Sequence, residues 1–428
     1  MPRVTAAGEP VPVAGEPPLR AAPPPRQATG LRQRLAELRG PAAVPHPMDA
    51  RALAALAANP GCRRRALLDG AGVDKGALAR ALGAPANFGQ SQFAHQRGNS
   101  FEARVKADGG ADLVRLLHER LRDGSEAPGP GAVATPDLSA PGPQGRTART
   151  ALALREATEA GRWALLDHPM VTLDVAGSPA FLEPDAVVVH PDGSWTVVEI
   201  KSFPMVDGSA DPAKVGAAAR QSAVYTLALE RVAAMVGEPP EGAGATADTA
   251  RGAPGRARVR HQVLLVCPKD FSNLPTAEMI DVRKQLAVTR RQLDRLTRIE
   301  EIAAALPEGT TFDLRLTDDG RTPTRPVEEL TAAVDAVEAA YAPECLSTCE
   351  LAAHCRARSR AAGLVEALGR GVRGELGGLT TVAAVLTAAT DGPADASPTG
   401  DPAVDALRRA AALRAEALAS RPGAVSCR

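Results

Sequence analysis

Two short stretches of this chain carry residue types and spacings suited to chemistry. The first is FLEPDAVVVHPDGSWTVVEIKSF, Phe181 to Phe203, in which Asp185, Glu199 and Lys201 interrupt runs of β-branched residues. Side chains along a strand alternate between faces, so Glu199 and Lys201 project from the same side. Between the runs, His190-Pro191-Asp192-Gly193 offers a proline for position i+1 of a type I turn and a glycine for the left-handed residue that follows. A loop that pairs His190 with Ser194 sets Val187 against Val197 and Asp185 directly opposite Glu199. Like charges facing each other across a ladder cost stability, and a cation between them removes that cost. The pattern therefore predicts a divalent-metal site on Asp185 and Glu199 with Lys201 beside it. Lysine is scarce here: of 50 basic residues only positions 75, 106, 201, 214, 269 and 284 are lysine, which leaves 44 arginines. A lysine at 201 thus points to a need for a compact, mobile ammonium rather than a planar fork. Glu183 shares the strand face of Asp185 and reads either as a second acidic ligand or as a rim residue.

The second stretch is CLSTCELAAHC, which places Cys345, Cys349 and Cys355 within eleven residues. Six cysteines in a chain of this length are too sparse for a disulfide scaffold. The three thiols can converge on a soft metal centre with a fourth from elsewhere, and Cys62 in NPGCRRRALLDG is the candidate. Cys267 lies in an apolar run and reads as a small hydrophobe, while Cys427 falls near the end of the chain. A tetrahedral zinc site, with His354 able to stand in as a ligand, is the rival.

These motifs, in this order, resemble the RecB-type nucleases of the PD-(D/E)xK superfamily, especially the iron–sulfur branch that includes CRISPR-associated exonucleases and AddB-like subunits. Pro184-Asp185, Glu199-Ile200-Lys201 and Gln221-x-x-x-Tyr225 carry the likeness, with one cysteine upstream and three clustered downstream of them. It covers roughly residues 55 to 360. The resemblance implies an α/β, restriction-endonuclease-like fold: a central mixed β-sheet flanked by helices, with a helical iron–sulfur region formed by the N- and C-terminal parts of the core. It implies Mg²⁺ or Mn²⁺ on Asp185 and Glu199, Lys201 steering the attacking water, and Gln221 and Tyr225 contacting the phosphate backbone or buttressing the lysine. A [4Fe–4S] cluster on Cys62, Cys345, Cys349 and Cys355 would tie the two ends of the chain together.

Two departures stand out. The family's early helix carries a glycine followed by a metal-holding histidine, whereas RGNSFEARV supplies Gly98, Phe101 and Glu102. Glu102 is then a third metal residue or a solvated helix position. The gap between Cys345 and Cys349 is also three residues, one longer than in the family. The expected function is a metal-dependent DNA exonuclease in repair, recombination or defence, with DNA favoured over RNA and a helicase or defence complex as partner. The alternative is a catalytically silent iron–sulfur or zinc-stabilised nucleic-acid-binding subunit of a larger complex.

The elements that must position these residues follow from composition. Formal charge is zero, 50 basic against 50 acidic residues, so affinity for nucleic acid has to come from local patches. No run approaches the ~18 apolar residues of a membrane span, and no secretory start is visible; the expectation is a cytoplasmic protein without membrane contact. Residues 1–45 read as a disordered Pro/Ala-rich arm, 46–122 as a helical part with Cys62, and 123–146 as a flexible loop. The nuclease core is expected over 147–320, with a loop at 237–256, the cysteine segment over 321–370, and a helical or disordered tail over 371–428. Within the core, VRHQVLLVC reads as a strand buried on both faces and TFDLRLT as a further strand. A long helix is predicted over 276–305, with Met279, Val282, Leu286, Leu293 and Leu296 inward and Lys284, Arg291, Arg295 and Arg298 on a second face. That face, like Arg63, Arg64 and Arg65, suits phosphates or plain solvation.

Overall fold

The computed structural model describes residues 26–85, 92–124, 126–129, 131–237, 258–270, 272–319, 322–391 and 399–419. Its strands are β1 (Ala164–Asp167), β2 (Val171–Val175), β3 (Ser178–Leu182), β4 (Ala186–Val189), β5 (Trp195–Ile200), β6 (Gln262–Pro268) and β7 (Pro275–Asp281). Five of them form a mixed sheet in the order β1-β4-β5-β6-β7, and β2 and β3 pair separately as a hairpin. β5 and β6 run parallel, while the other neighbours are antiparallel. Both middle strands are buried along almost their whole length, as their valine-rich sequences require of strands covered on two faces. The fold is therefore α/β with a mixed sheet flanked by helices.

The β4–β5 turn follows the sequence closely. His190 N–H donates to Ser194 O at 2.8 Å, Gly193 N–H donates to His190 O at 2.9 Å, and Gly193 takes φ +77°. Val187 pairs with Val197 and Ala186 with Val198, so the next step of the ladder sets Asp185 against Glu199. Alternation then sorts the hairpin. Ala186, Val188, Val198 and Ile200 join the core beneath α5 (Gln92–Val105) and α6 (Ala111–Leu121), around Phe101, Val105 and Leu117. Val187, Val189, Trp195 and Val197 face the larger core built with α2 (Ala50–Ala58), α3 (Arg63–Ala71) and the long α8 (Pro212–Gly237). Asp185, Glu199 and Lys201 continue this second face.

Several expectations are corrected. The segment 26–39 of the expected disordered arm is α1 (Arg26–Arg39), and Leu35 and Leu38 are buried against α3; Leu31, Leu35 and Leu38 form an apolar stripe that the preceding prolines disguise. Residues 1–25 of that arm, and nearly all of the expected loop at 237–256, lie outside the described residues. Part of the loop expected over 123–146 is fixed: Ala134 bridges Ala164, Leu138 is buried, and α7 (Gly142–Ala160) begins early. The long helix expected over 276–305 is instead strand β7 followed by α9 (Arg283–Leu293) and α10 (Ile299–Ala304). Pairing with β6 fixes 275–281 as an edge strand, and the basic face of four residues is split between a helix and the turn after it. TFDLRLT is not a strand; Phe312 is buried and its N–H donates to Leu38 O at 2.7 Å, which caps α1 rather than extending the sheet. The cysteine segment contains α11 (Val327–Asp335) and α12 (Ala352–Ala361), and the tail holds α13 (Arg370–Glu375), α14 (Val382–Thr390) and α15 (Pro402–Ala419). No helix among the described residues is long and apolar enough to cross a membrane.

Candidate functional site

Lys201 stands just past the carboxyl end of β5, beside the parallel strand β6, the position where open α/β sheets place ligands. Its N–H donates to Val266 O at 2.9 Å, and its ammonium ion-pairs with Glu199. Glu199 is 1 % exposed; the Lys201 ammonium meets its Oε1, and no hydrogen bond among the described residues satisfies Oε2. Burial pushes its carboxyl up to about 7, against the pull of Lys201, and the Asp185 charge adds to the rise. Burial likewise raises Asp185, which Lys201 partly offsets. Burial pulls the Lys201 ammonium down, but Glu199 and Asp185 together outweigh it and the net shift is upward.

Asp185 is oriented by its own backbone neighbour across the ladder, since Ile200 N–H donates to Oδ2 at 2.6 Å. Tyr225, on α8, covers the same face: its hydroxyl donates to Glu183 O at 3.2 Å and accepts from Gln221 Nε2 at 3.1 Å. Burial, with Glu199 and Asp185 nearby, raises the Tyr225 phenol far above its ordinary range, so it stays neutral. Glu183 is exposed and turns away to pair with Arg146 of α7 at 2.6 Å, which makes it a rim residue.

Glu102, from α5, lies within electrostatic reach of both Asp185 and Glu199. Its Oε1 accepts from Lys106 Nζ at 2.6 Å and from His168 Nε2 at 3.0 Å. His168 and Lys106 hold the Glu102 carboxyl down at about 2. Of the three carboxylates, Glu199 is the one with a buried oxygen, Oε2, that no hydrogen bond or ion pair among the described residues satisfies. These hard donors suit a divalent cation, although no three histidine, cysteine, aspartate or glutamate side chains among the described residues form a ready-made metal cage.

A cleft of about 1010 Å³ opens beside Lys201, lined by Arg51, Arg97, Lys214, Arg220 and Gln221 on the core side. Glu344 and Thr348, from the cysteine segment, form part of the opposite wall. Glu344 is the one acid among the lining residues, so the cleft is basic. The basic face expected on the long helix thus gives way to residues from α2, α5 and α8.

The four cysteines come from both ends of the chain into one neighbourhood. Cys62 lies within electrostatic reach of Cys345, Cys349 of Cys62 and Cys355, and Cys355 of Cys62 and Cys345. Asn59 Nδ2 donates to Cys345 Sγ at 3.4 Å and Arg64 Nη1 to Cys355 Sγ at 3.2 Å. Burial raises the Cys62 and Cys355 thiols and pushes Cys349 up to about 12, with Arg65 opposing at Cys349. Four sulfurs, two of them with cationic or amide donors, are the ligand chemistry that both iron–sulfur and zinc use, although no three of them form a ready-made metal cage among the described residues.

Arg64 and Arg65 are buried: Arg64 also donates to Val337 O at 3.1 Å, and Arg65 to Thr348 O at 2.6 Å. They fasten α3 to the cysteine segment and are not available to phosphates. Arg63 pairs with Glu338 at 3.0 Å. His354 Nε2 bonds Asp335 Oδ1 at 3.1 Å. Cys267 sits buried near Lys201, away from the cysteine group, with its thiol pushed up to about 12 by burial.

Sequence reasoning missed Lys106, Asp167 and His168. Lys106 was within reach of the same signal that singled out Lys201, being one of six lysines and four residues after Glu102 on one helix face. Asp167 ends β1, His168 follows it, and neither carries a motif. No protein-family model matches the chain, and no curated protein or solved structure matches it either.

Proposed function

We propose that the chain is a metal-dependent nuclease with a restriction-endonuclease-like core, hydrolysing phosphodiester bonds and acting on DNA in preference to RNA. One observation carries this reading: Asp185, Glu199 and Lys201 meet at the carboxyl end of β5 with Glu102 in electrostatic reach, and buried Glu199 keeps an oxygen that no protein group among the described residues satisfies. Buried polar atoms without partners are rare in folded chains and cost stability, so the unsatisfied Glu199 carboxylate opposite Asp185 is best explained as a seat for a cation. Asp185, Glu199 and Glu102 would hold a divalent ion, which would supply Lewis acidity and a water of lowered pKa.

The chain's own residues do the rest. Lys201 keeps its proton beside the two carboxylates, orients the attacking water and meets the charge that develops on the phosphate. Tyr225 fixes Gln221 at the cleft wall, and Arg51, Arg97, Lys214 and Arg220 supply the positive field that an anionic backbone seeks. Similarity of the Pro184-Asp185, Glu199-x-Lys201 and Gln221-x-x-x-Tyr225 motifs to RecB-type nucleases supports the same assignment. With it goes a [4Fe–4S] cluster on Cys62, Cys345, Cys349 and Cys355 that braces the two ends of the chain, zinc being the alternative occupant. A cytoplasmic role beside a helicase or defence complex belongs to the same proposal. The second reading, a silent nucleic-acid-binding subunit, draws on the lack of a ready-made metal cage among the described residues.

Incubating the anaerobically purified chain with labelled single- and double-stranded DNA and RNA, in Mn²⁺, Mg²⁺ or EDTA, tests the proposal. Metal-dependent cleavage supports the nuclease, whereas binding without cleavage in either metal supports the silent subunit. The visible spectrum and metal content of the same sample separate iron–sulfur from zinc.

A further inference from the structure

Lys106 is the most heavily engaged side chain near the site, and none of the proposed chemistry uses it. Its ammonium is 11 % exposed and contacts Glu102 Oε1 at 2.6 Å, Asp167 Oδ1 at 2.6 Å and Asp185 O at 2.8 Å. Those three acceptors match its three donors, and His168 Nε2 lies 3.2 Å from the same nitrogen. The acceptors come from α5, from β1 and from the β3–β4 connection, so one charge joins three elements at a single point. His168 completes the arrangement: its backbone N–H donates to Asp185 O at 3.3 Å and its Nε2 lies 3.0 Å from Glu102 Oε1.

From this geometry we infer that Lys106 is a positioning residue that presets Glu102 and Asp185 for one divalent cation. Lys106 and His168 both approach Oε1 of Glu102, so two contacts fix how that carboxylate is presented. Lys106 also grips Asp185 by its main-chain carbonyl, while Ile200 N–H takes Oδ2. Holding the backbone of one ligand and the side chain of another fixes their separation before any ion arrives. Its positive charge also offsets repulsion among the three acids. Arginine at this position retains the charge, but its planar fork cannot converge on three acceptors around one nitrogen.

The inference rests on the metal-site reading, and calorimetric titration of Mn²⁺ into the full-length protein separates the two. Wild type, Lys106→Met, Lys106→Arg, Lys106→Gln and Asp185→Asn are compared at pH 8, each with a thermal melt to confirm folding. The expected result is Mn²⁺ binding by wild type that is lost in Asp185→Asn and weakened about 10- to 100-fold in Lys106→Met and Lys106→Gln, as for other groups that orient metal ligands. Lys106→Arg should recover only part of that loss. The Mn²⁺ concentration for half-maximal cleavage should rise with the dissociation constant, while the rate at saturating Mn²⁺ stays within about threefold of wild type. Wild-type affinity in both folded Lys106→Met and Lys106→Gln, with Asp185→Asn inactive in binding, overturns the positioning role alone. A lower saturated rate at unchanged affinity also overturns it, in favour of direct catalysis. A wild type that binds no Mn²⁺ overturns the metal site and this role together.

Discussion

The two ends of the β4–β5 ladder are built from the same alternating pattern and do opposite things with polar groups. At the turn end every buried polar side chain has a partner: His190 Nε2 bonds Thr196 Oγ1 at 2.8 Å and Trp195 Nε1 donates to Thr158 Oγ1 at 2.9 Å. Arg260 closes that end by donating to Ser194 Oγ at 2.7 Å and to Asp123 and Asp192 at 2.9 Å each. At the open end, four residues further along each strand, Asp185 and Glu199 face each other, and buried Glu199 Oε2 has no hydrogen-bond partner among the described residues. The difference teaches where this hairpin keeps stability and where it gives stability up. Unsatisfied charge confined to one end of an otherwise satisfied ladder marks function.

The comparison predicts its largest effect at the open end. Lys201→Met should slow metal-dependent cleavage by about 10²-fold or more, equivalent to roughly 3 kcal/mol of activation free energy, with little change in a thermal melt; equal rates would erase the distinction between the ends. The next effect separates the ends by pH in the metal-free protein. Burial, aided by Arg260, lowers the His190 imidazole to about 4. The unfolded chain therefore binds the extra proton between pH 6.5 and 4, and the stability contributed by neutral His190 is lost as pH falls through that window. The loss is on the order of 3 kcal/mol, and urea melts of wild type and His190→Gln at pH 7.5, 5.5 and 4.5 should show it flattened in the variant.

Glu199 has the opposite sign. Its folded pKa is raised from 4.5 to about 7, so the folded chain holds the proton longer and stability declines as pH rises between those values. Glu199→Gln should consequently stabilise the metal-free protein at pH 8 by about 1–2 kcal/mol while abolishing Mn²⁺ binding. A variant that is destabilised at pH 8 would show that the carboxylate serves the fold. The smallest effect belongs to Arg260→Ala, whose partly exposed ion pairs are worth about 1 kcal/mol or less; its cleavage rate should equal that of wild type.

The hairpin was legible because a turn sequence fixes register and period two does the rest. His190-Pro191-Asp192-Gly193 sufficed to place Asp185 opposite Glu199 and both beside Lys201. Strand β7 was hidden because PTAEMID is an edge strand with a mixed burial pattern that runs directly into a helical stripe at Val282 and Leu286. Only pairing with β6, a tertiary fact, selects the strand. His168 was illegible as a site residue for a related reason. It reaches Glu102 and Lys106 by the approach of the end of β1 to α5, which no local spacing encodes.

The central claim is that the open end of the ladder is a metal-dependent phosphodiesterase site. Its most direct test is the initial rate of cleavage of a labelled DNA strand in Mn²⁺ by wild type and by Asp185→Asn, prepared identically and matched in thermal midpoint. The account predicts cleavage by wild type that EDTA stops, and a rate lower by about 10²-fold or more in Asp185→Asn. Cleavage by Asp185→Asn at the wild-type rate, or the same background from both proteins, would contradict it.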